Sequence, residues 1–243
     1  MDKKGSQSLM GTHVPIFLLG SAITLYGLLT AVVGGWFSNQ AMTGVITAGQ
    51  YRSRLAAYEQ ASGLIAGLVF LALFVFCAVK SKGIVRTAFA IGAVAALSPM
   101  LAPRAEYLLF NVIGLPTMSA GSVVAAAVTT LFFALPLTIL FILLLVGKRI
   151  PKGCRWLSAA AILIVLGTAL YPIYVTVLAF LLNPGDPAVG QMMEVSSLVI
   201  KLRYILLGVC FLLMALISLN FARSHPAAVS SKSTFHPEEG ILP

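Results

Sequence analysis

The chain has 243 residues, 59% of them apolar and only 9% charged, with a net charge of +9 and a mean hydropathy of +1.00. Soluble domains carry about 25% charged and 45–50% apolar residues, so water is excluded as the solvent for most of this chain. The positive excess reads as membrane topology and attraction to anionic lipid rather than nucleic-acid binding, because no basic patch stands on a soluble domain.

A hydrocarbon core of about 30 Å needs about 20 apolar residues in a helix, since each backbone polar group must find its partner within its own segment. Residues 14–37, 24 without a charge, form the first span. Two lysines precede it, but the run exceeds the roughly 7 to 15 apolar residues of a signal peptide and lacks a small-x-small cleavage site, so it is expected to stay in the membrane. The next segment, QYRSRLAAYEQ, sets Tyr51, Leu55 and Tyr58 at helical spacing. It reads as an amphipathic extension of the second span, lying at the interface. The second span is residues 61–79, with Gly63 and Gly67 forming a G-x-x-x-G at its outer end. Such a face lets backbones approach where apolar bulk cannot drive association.

Residues 87–103 give a third, shorter span, which residues 84–86 extend if Arg86 snorkels to the headgroups. The 41 uncharged residues from 107 to 147 are too many for one helix and too few for two with a comfortable loop. One span is expected at 122–146, where Gly121, Ser122, Ala125 and Ala126 supply a second small-residue face. The stretch YLLFNVIGLPTM before it reads as interfacial or re-entrant, because Gly114 and Pro116 interrupt it. Residues 156–182 form the fifth span, with Pro172 as a kink, and residues 204–222 the sixth. The tail from residue 223 is polar and rich in Pro and Ser, and reads as disordered. The fold class is an all-α integral membrane protein, with a six-helix bundle over residues 1–222 and a cytoplasmic tail over 223–243.

Six spans place both termini on one side. Lys3, Lys4, Lys80, Lys82, Arg86, Lys148, Arg149, Lys152, Arg155, Arg223 and Lys232 then share that side, leaving Arg52, Arg54, Arg104, Lys201 and Arg203 on the other. Basic residues concentrate in cytoplasmic loops, so both termini are expected in the cytoplasm of a bacterial-type inner or plasma membrane. The odd-numbered spans share a pattern. Leu25-Tyr26-Gly27, Leu97-Ser98-Pro99 and Leu170-Tyr171-Pro172 follow one another at 72 and 73 residues, each with a helix weakener at similar depth. Three repeated hairpins around an axis would favour a transport pathway. Chance matching among apolar helices of limited alphabet is the simpler account.

No cofactor and no metal site is expected. His13, His225 and His236 lie at or beyond span ends, and Cys77, Cys154 and Cys210 form no C-x-x-C. Cys77 and Cys210 read as small apolar fillers, and Cys154 as a reduced thiol in a cytoplasmic turn. The acids Asp2, Glu59, Glu106, Asp186, Glu194, Glu238 and Glu239 all fall outside the spans, which argues against a proton-driven pump. Motifs for nucleotide binding, serine hydrolysis and zinc proteolysis are absent from the sequence. Thr24, Tyr26, Thr30, Ser98, Thr129, Thr130, Tyr171, Tyr174 and Thr176 could line a polar path, although hydroxyls in spans ordinarily bond to the preceding turn.

Opposite charges converge on the outer side, where Arg52, Arg54, Glu59, Arg104, Glu106, Asp186, Glu194, Lys201 and Arg203 would form a cap. Lys201 and Arg203 point about 200° apart on a helix, so they cannot face one pocket. Arg203 is assigned to the bundle, with Glu194 or Glu106 as its carboxylate, and Lys201 to the lipid. The function expected first is a non-catalytic subunit, assembly factor or partner-binding component of a membrane complex. Its partners would be membrane lipids and other membrane subunits or a second copy. The alternatives are a facilitator for a neutral or lipidic solute, and a lipid-modifying enzyme working through Glu59, Glu106 or Glu194.

Overall fold

The computed structural model describes residues 12–97, 99–101, 108, 113–114, 120–148, 150–181 and 187–224. Among these residues there is no strand, and the main helices are α1 (His13–Met42), α2 (Ala48–Lys80), α3 (Ile84–Ala95), α4 (Ala120–Val146), α5 (Lys152–Leu181) and α6 (Pro187–Ser224). Five stretches are long and apolar enough to cross a membrane: His13–Met42, Gly49–Lys80, Ile84–Leu101, Lys152–Leu181 and Leu198–Ser224. The run Thr130–Val146 of α4 is a shorter apolar helix. The described residues are thus an all-helical set whose long apolar members are compatible with a membrane bundle.

Three of the span hydroxyls that could line a polar path bond to their own helices instead. Thr24 Oγ1 donates to Gly20 O at 2.9 Å, Thr30 Oγ1 to Tyr26 O at 3.0 Å, and Thr176 Oγ1 to Pro172 O at 2.8 Å. They contribute no polar path. At the start of α2, Thr47 Oγ1 accepts from Gln50 N and Gln50 Oε1 from Thr47 N, so two orphan backbone donors of this helix end are satisfied by side chains. Arg155 Nε donates to Leu145 O at 2.8 Å, tying the first turn of α5 to one of the last carbonyls of α4.

Each helix packs on its neighbours in the chain, and α6 closes on α1, so the helices form a ring. Aromatic side chains meet across its centre. Phe74 of α2 lies against Phe89 of α3 and Phe211 of α6 at 6.5 and 6.1 Å between centroids, and Phe141 of α4 lies 5.4 Å from Phe211. A second layer joins Tyr26 to Phe70 and Tyr204, and Tyr204 to Phe133, at 5.0–5.7 Å. Between the layers is an apolar cavity of about 20 Å³, lined by side chains of α1, α2, α3, α4 and α6. It has room for about one water, but its walls offer few polar partners.

The closing contact of α1 on α6 is made through glycine. Gly20, Gly27 and Gly34 recur every seven residues, a period that keeps one face of a helix on its partner. A Cβ on Gly20 would lie 2.8 Å from Leu212 N, and one on Gly27 would lie 2.9 Å from Ile205 N. Gly208 of α6 answers with its own close approach to Thr24 and to Gly20 O. Dispersion between backbones, rather than side-chain bulk, holds this seam.

Several boundaries differ from the sequence reading. Residues 187–203, expected in an outer loop, belong to α6, whose 38 residues rise about 57 Å. Lys201 and Arg203 mark a hydrophobic boundary there, and charge by itself does not end a helix. The segment 50–60 continues α2 without interruption, as the extension of the second span that its spacing suggested, and α1 runs on to Met42. α3 stops earlier than expected, at Ala95. Pro99 lacks the N–H that would close on the Ala95 carbonyl. Pro172, and also Pro136, lie inside continuous helices. Cys154 is in α5, not in a turn. It is 3% exposed, and its Sγ lies 3.7 Å from Met214 O of α6, so the thiol is sealed from solvent. Cys77 and Cys210 are core fillers, as expected. The tail beyond residue 224 and nearly all of YLLFNVIGLPTM lie outside the described residues.

Candidate functional site

The two cations of α6 diverge as their spacing requires. Lys201 is half-buried over α1, where a Cβ on Gly34 would meet its Nζ at 2.5 Å, so the missing side chain of that glycine leaves the channel for the lysine stem. This corrects its assignment to the lipid. Glu59 of α2, exposed on the ring's outer prolongation, lies within electrostatic reach of Lys201. It is the only acidic residue whose side chain is among those described.

Arg203 turns the other way, into the bundle, and is 6% exposed. Its Cζ lies 4.0 Å from the centroid of the Phe133 ring of α4 and 5.2 Å from that of Tyr204. The guanidinium is planar and weakly hydrated, which suits it to an aromatic face. A desolvated cation–π contact contributes about 2 kcal/mol. Burying a charge costs several kcal/mol, so the rings offset only part of that cost. Arg203 Nε has no hydrogen-bond partner among the described residues. The carboxylates expected for it, Glu106 and the side chain of Glu194, lie outside the described residues.

Around these cations stand Tyr26, Tyr58 and Ser62. Ser62 lies near the hydroxyls of both tyrosines, and its Oγ is buried. Of the other residues of the expected cap, Arg54 is exposed on α2, the side chain of Arg52 lies outside the description, and Arg104 and Asp186 lie outside the described residues. The structure therefore brings Lys201 within electrostatic reach of Glu59 and turns Arg203 the other way, into the bundle. Phe133 and Tyr204 were missed as a platform for Arg203, and no sequence signal marks Phe133, since its role depends on which way α6 faces.

The small-residue positions divide. Gly63 packs against the Pro99 carbonyl and Gly67 against Met100 and Ala96 O, so this face is used inside the chain. Gly121 lies on α4, with its surroundings and those of Ala125 outside the description. Gly27, Pro99 and Pro172 occupy three different settings: a close helix crossing, the chain beyond a helix end, and a helix interior. The outer face of α5 carries a stripe that sequence reading passed over: Trp156, Ala160, Leu163, Gly167, Leu170, Tyr174 and Leu181, all exposed. A Cβ on Gly167 would meet nothing within 4 Å.

Among the described residues no three His, Cys, Asp or Glu side chains gather as a metal site would require. Comparison with protein families, characterised proteins and solved structures gives no match.

Proposed function

We propose that the chain is a non-catalytic component of a membrane complex, crossing the membrane six times with both termini in the cytoplasm of a bacterial-type inner or plasma membrane, and that α5 receives a transmembrane helix of another subunit. The observation that carries this reading is the outer stripe of α5. Its small members, Ala160 and Gly167, are seven residues apart, as are Gly20, Gly27 and Gly34 in the seam that binds α1 to α6. Bulky apolar side chains serve a lipid-facing surface in mid-span, as on α1, where Leu25, Leu28, Leu29 and Val32 face outward and the exposed Gly35 comes only towards the helix end. A glycine in mid-helix weakens the helix, and it returns that cost where another backbone comes close.

Six spans agree with the ring order, which sets the 27-residue α4 between α3 and α5 as one more wall of the bundle. The cytoplasmic orientation rests on the basic residues. Lys80, Lys82, Arg86, Lys148, Lys152, Arg155 and Arg223 gather where α2, α4 and α6 end and α3 and α5 begin. A facilitator is less well supported by a ring whose axis is filled by Phe74, Phe141 and Phe211.

The test is affinity purification from native membranes in mild detergent, with wild type beside Gly167→Leu. The expected result is a stoichiometric membrane partner on the wild type that is lost from the variant, whose own thermal unfolding is unchanged because the site faces open space. A lone monomer, an assembly of this chain alone, or a partner retained by Gly167→Leu would contradict the subunit reading.

A further inference from the structure

Arg203 raises a question that its ring contacts do not answer. On the six-span topology proposed above, residues 204–222 suffice to cross the hydrocarbon at about 1.5 Å per residue, roughly 28 Å, which sets Arg203 at the level where the outer-leaflet headgroups begin. A cation that only anchors a helix at this depth extends its stem and places its charge in water. Arg203 does the reverse. It is only 6% exposed, and its Cζ lies 4.0 Å from the Phe133 ring centroid, with Tyr204 beside it at 5.2 Å. Ring faces neutralise no charge and accept no strong hydrogen bond, and Nε is buried without a partner among the described residues. A guanidinium can also grip two oxygens of one oxyanion end-on, through its two terminal nitrogens, so a buried Nε does not close it to a ligand. Glu59, the one acidic side chain described, lies within electrostatic reach of Lys201, which points about 200° away from Arg203 on α6.

We propose that Arg203 is an oxyanion-binding residue at the outer edge of the membrane, held in place by Phe133 and Tyr204, and that its ligand is a phosphate group. That chemistry is offered by a phospholipid headgroup and by free phosphate. The headgroups lie level with the site, so they are the nearer source. Phe133 and Tyr204 act as positioning residues: they fix the plane of the guanidinium and restrict it to one rotamer before the ligand arrives, which lowers the ordering cost of binding. Lys201, two residues away with the same charge, lies outside this site. This inference stands apart from the reading of α5, which is on another face of the ring.

The test uses the full chain in neutral detergent and follows thermal unfolding on titration with phosphatidylglycerol, with phosphatidylcholine, and with inorganic phosphate. Wild type, Arg203→Gln, Arg203→Lys and Lys201→Gln are compared. Lipid binding at Arg203 predicts a saturable rise in melting temperature with phosphatidylglycerol. Arg203→Gln should weaken the apparent affinity about tenfold or more, as expected from losing hydrogen bonds to a charged group. Arg203→Lys should retain part of the affinity, and Lys201→Gln should leave it intact. An equal response to inorganic phosphate would assign the site to the free ion. If Arg203→Gln fails to fold, Phe133→Leu keeps the charge and removes the platform. It should still weaken the lipid response, and native mass spectrometry of the wild type should show a retained phospholipid. No saturable response to either phosphate source, or an equal loss in Lys201→Gln, would overturn the assignment.

Discussion

Gly27 and Gly35 stand eight residues apart on α1 and carry opposite expectations. A methyl group on Gly27 meets Ile205 N at 2.9 Å and Tyr204 Cβ at 3.0 Å, and the backbone cannot move aside as a flexible side chain would. Gly27→Ala should cost about 1–3 kcal/mol by overpacking. At about 2–4 °C per kcal/mol for a chain of this size, that is a readable fall in melting temperature in detergent. Gly35 has nothing within 4 Å, so Gly35→Ala should leave the melting temperature level or slightly raise it, because alanine is the better helix former. Equal shifts in the two variants would mean that the α1–α6 seam is not set by glycine. The seven-residue recurrence of Gly20, Gly27 and Gly34 is visible in the sequence. Reading Gly27 as a helix weakener took its low helix propensity as its purpose, whereas its use is the absence of a side chain.

At the scale of elements, the sequence located the helices well and their ends less well. Hydropathy marks where lipid begins, and it carries no instruction to end a helix. Accordingly α1, α2 and α6 continue beyond the apolar runs that identified them, while α3 stops where Pro99 removes a donor. The same gap explains Cys154. It is flanked by basic residues in sequence, yet the helix that contains it turns its thiol onto α6, so it cannot report on sidedness. The turns can. With Cys77, Cys154 and Cys210 replaced by alanine, cysteine is introduced at Val45, in the α1–α2 turn, or at Lys82, in the α2–α3 turn, both exposed. A membrane-impermeant maleimide added to intact cells should label Val45→Cys, and should label Lys82→Cys only after permeabilisation. The reverse pattern would invert the orientation inferred from the basic residues.

At the scale of the whole molecule, the ring of helices explains which features sequence alone could assign. An all-helical membrane protein was legible from composition, because lipid admits few other backbones. The inward turn of Arg203 was legible from its 200° separation from Lys201, but the lipid-facing reading of Lys201 was not sustained, because it needed the position of α1 and the gap at Gly34. The outer face of α5 could be recognised only after its inner face had been identified by Cys154, Ser158, Ala161, Val165 and Ala169, which pack into the ring. What remains outward is Ala160 and Gly167 among large apolar side chains, and the central claim is that another protein's helix lies there. Site-specific photo-crosslinking in native membranes tests it most directly, with a benzophenone side chain at Leu163 on this stripe and, for comparison, at Leu25 on the bulky outer face of α1, both more than half exposed. The account predicts a discrete adduct with a different membrane protein from position 163 and none from position 25. Lipid adducts alone from both positions, or an adduct only between copies of this chain, would contradict it.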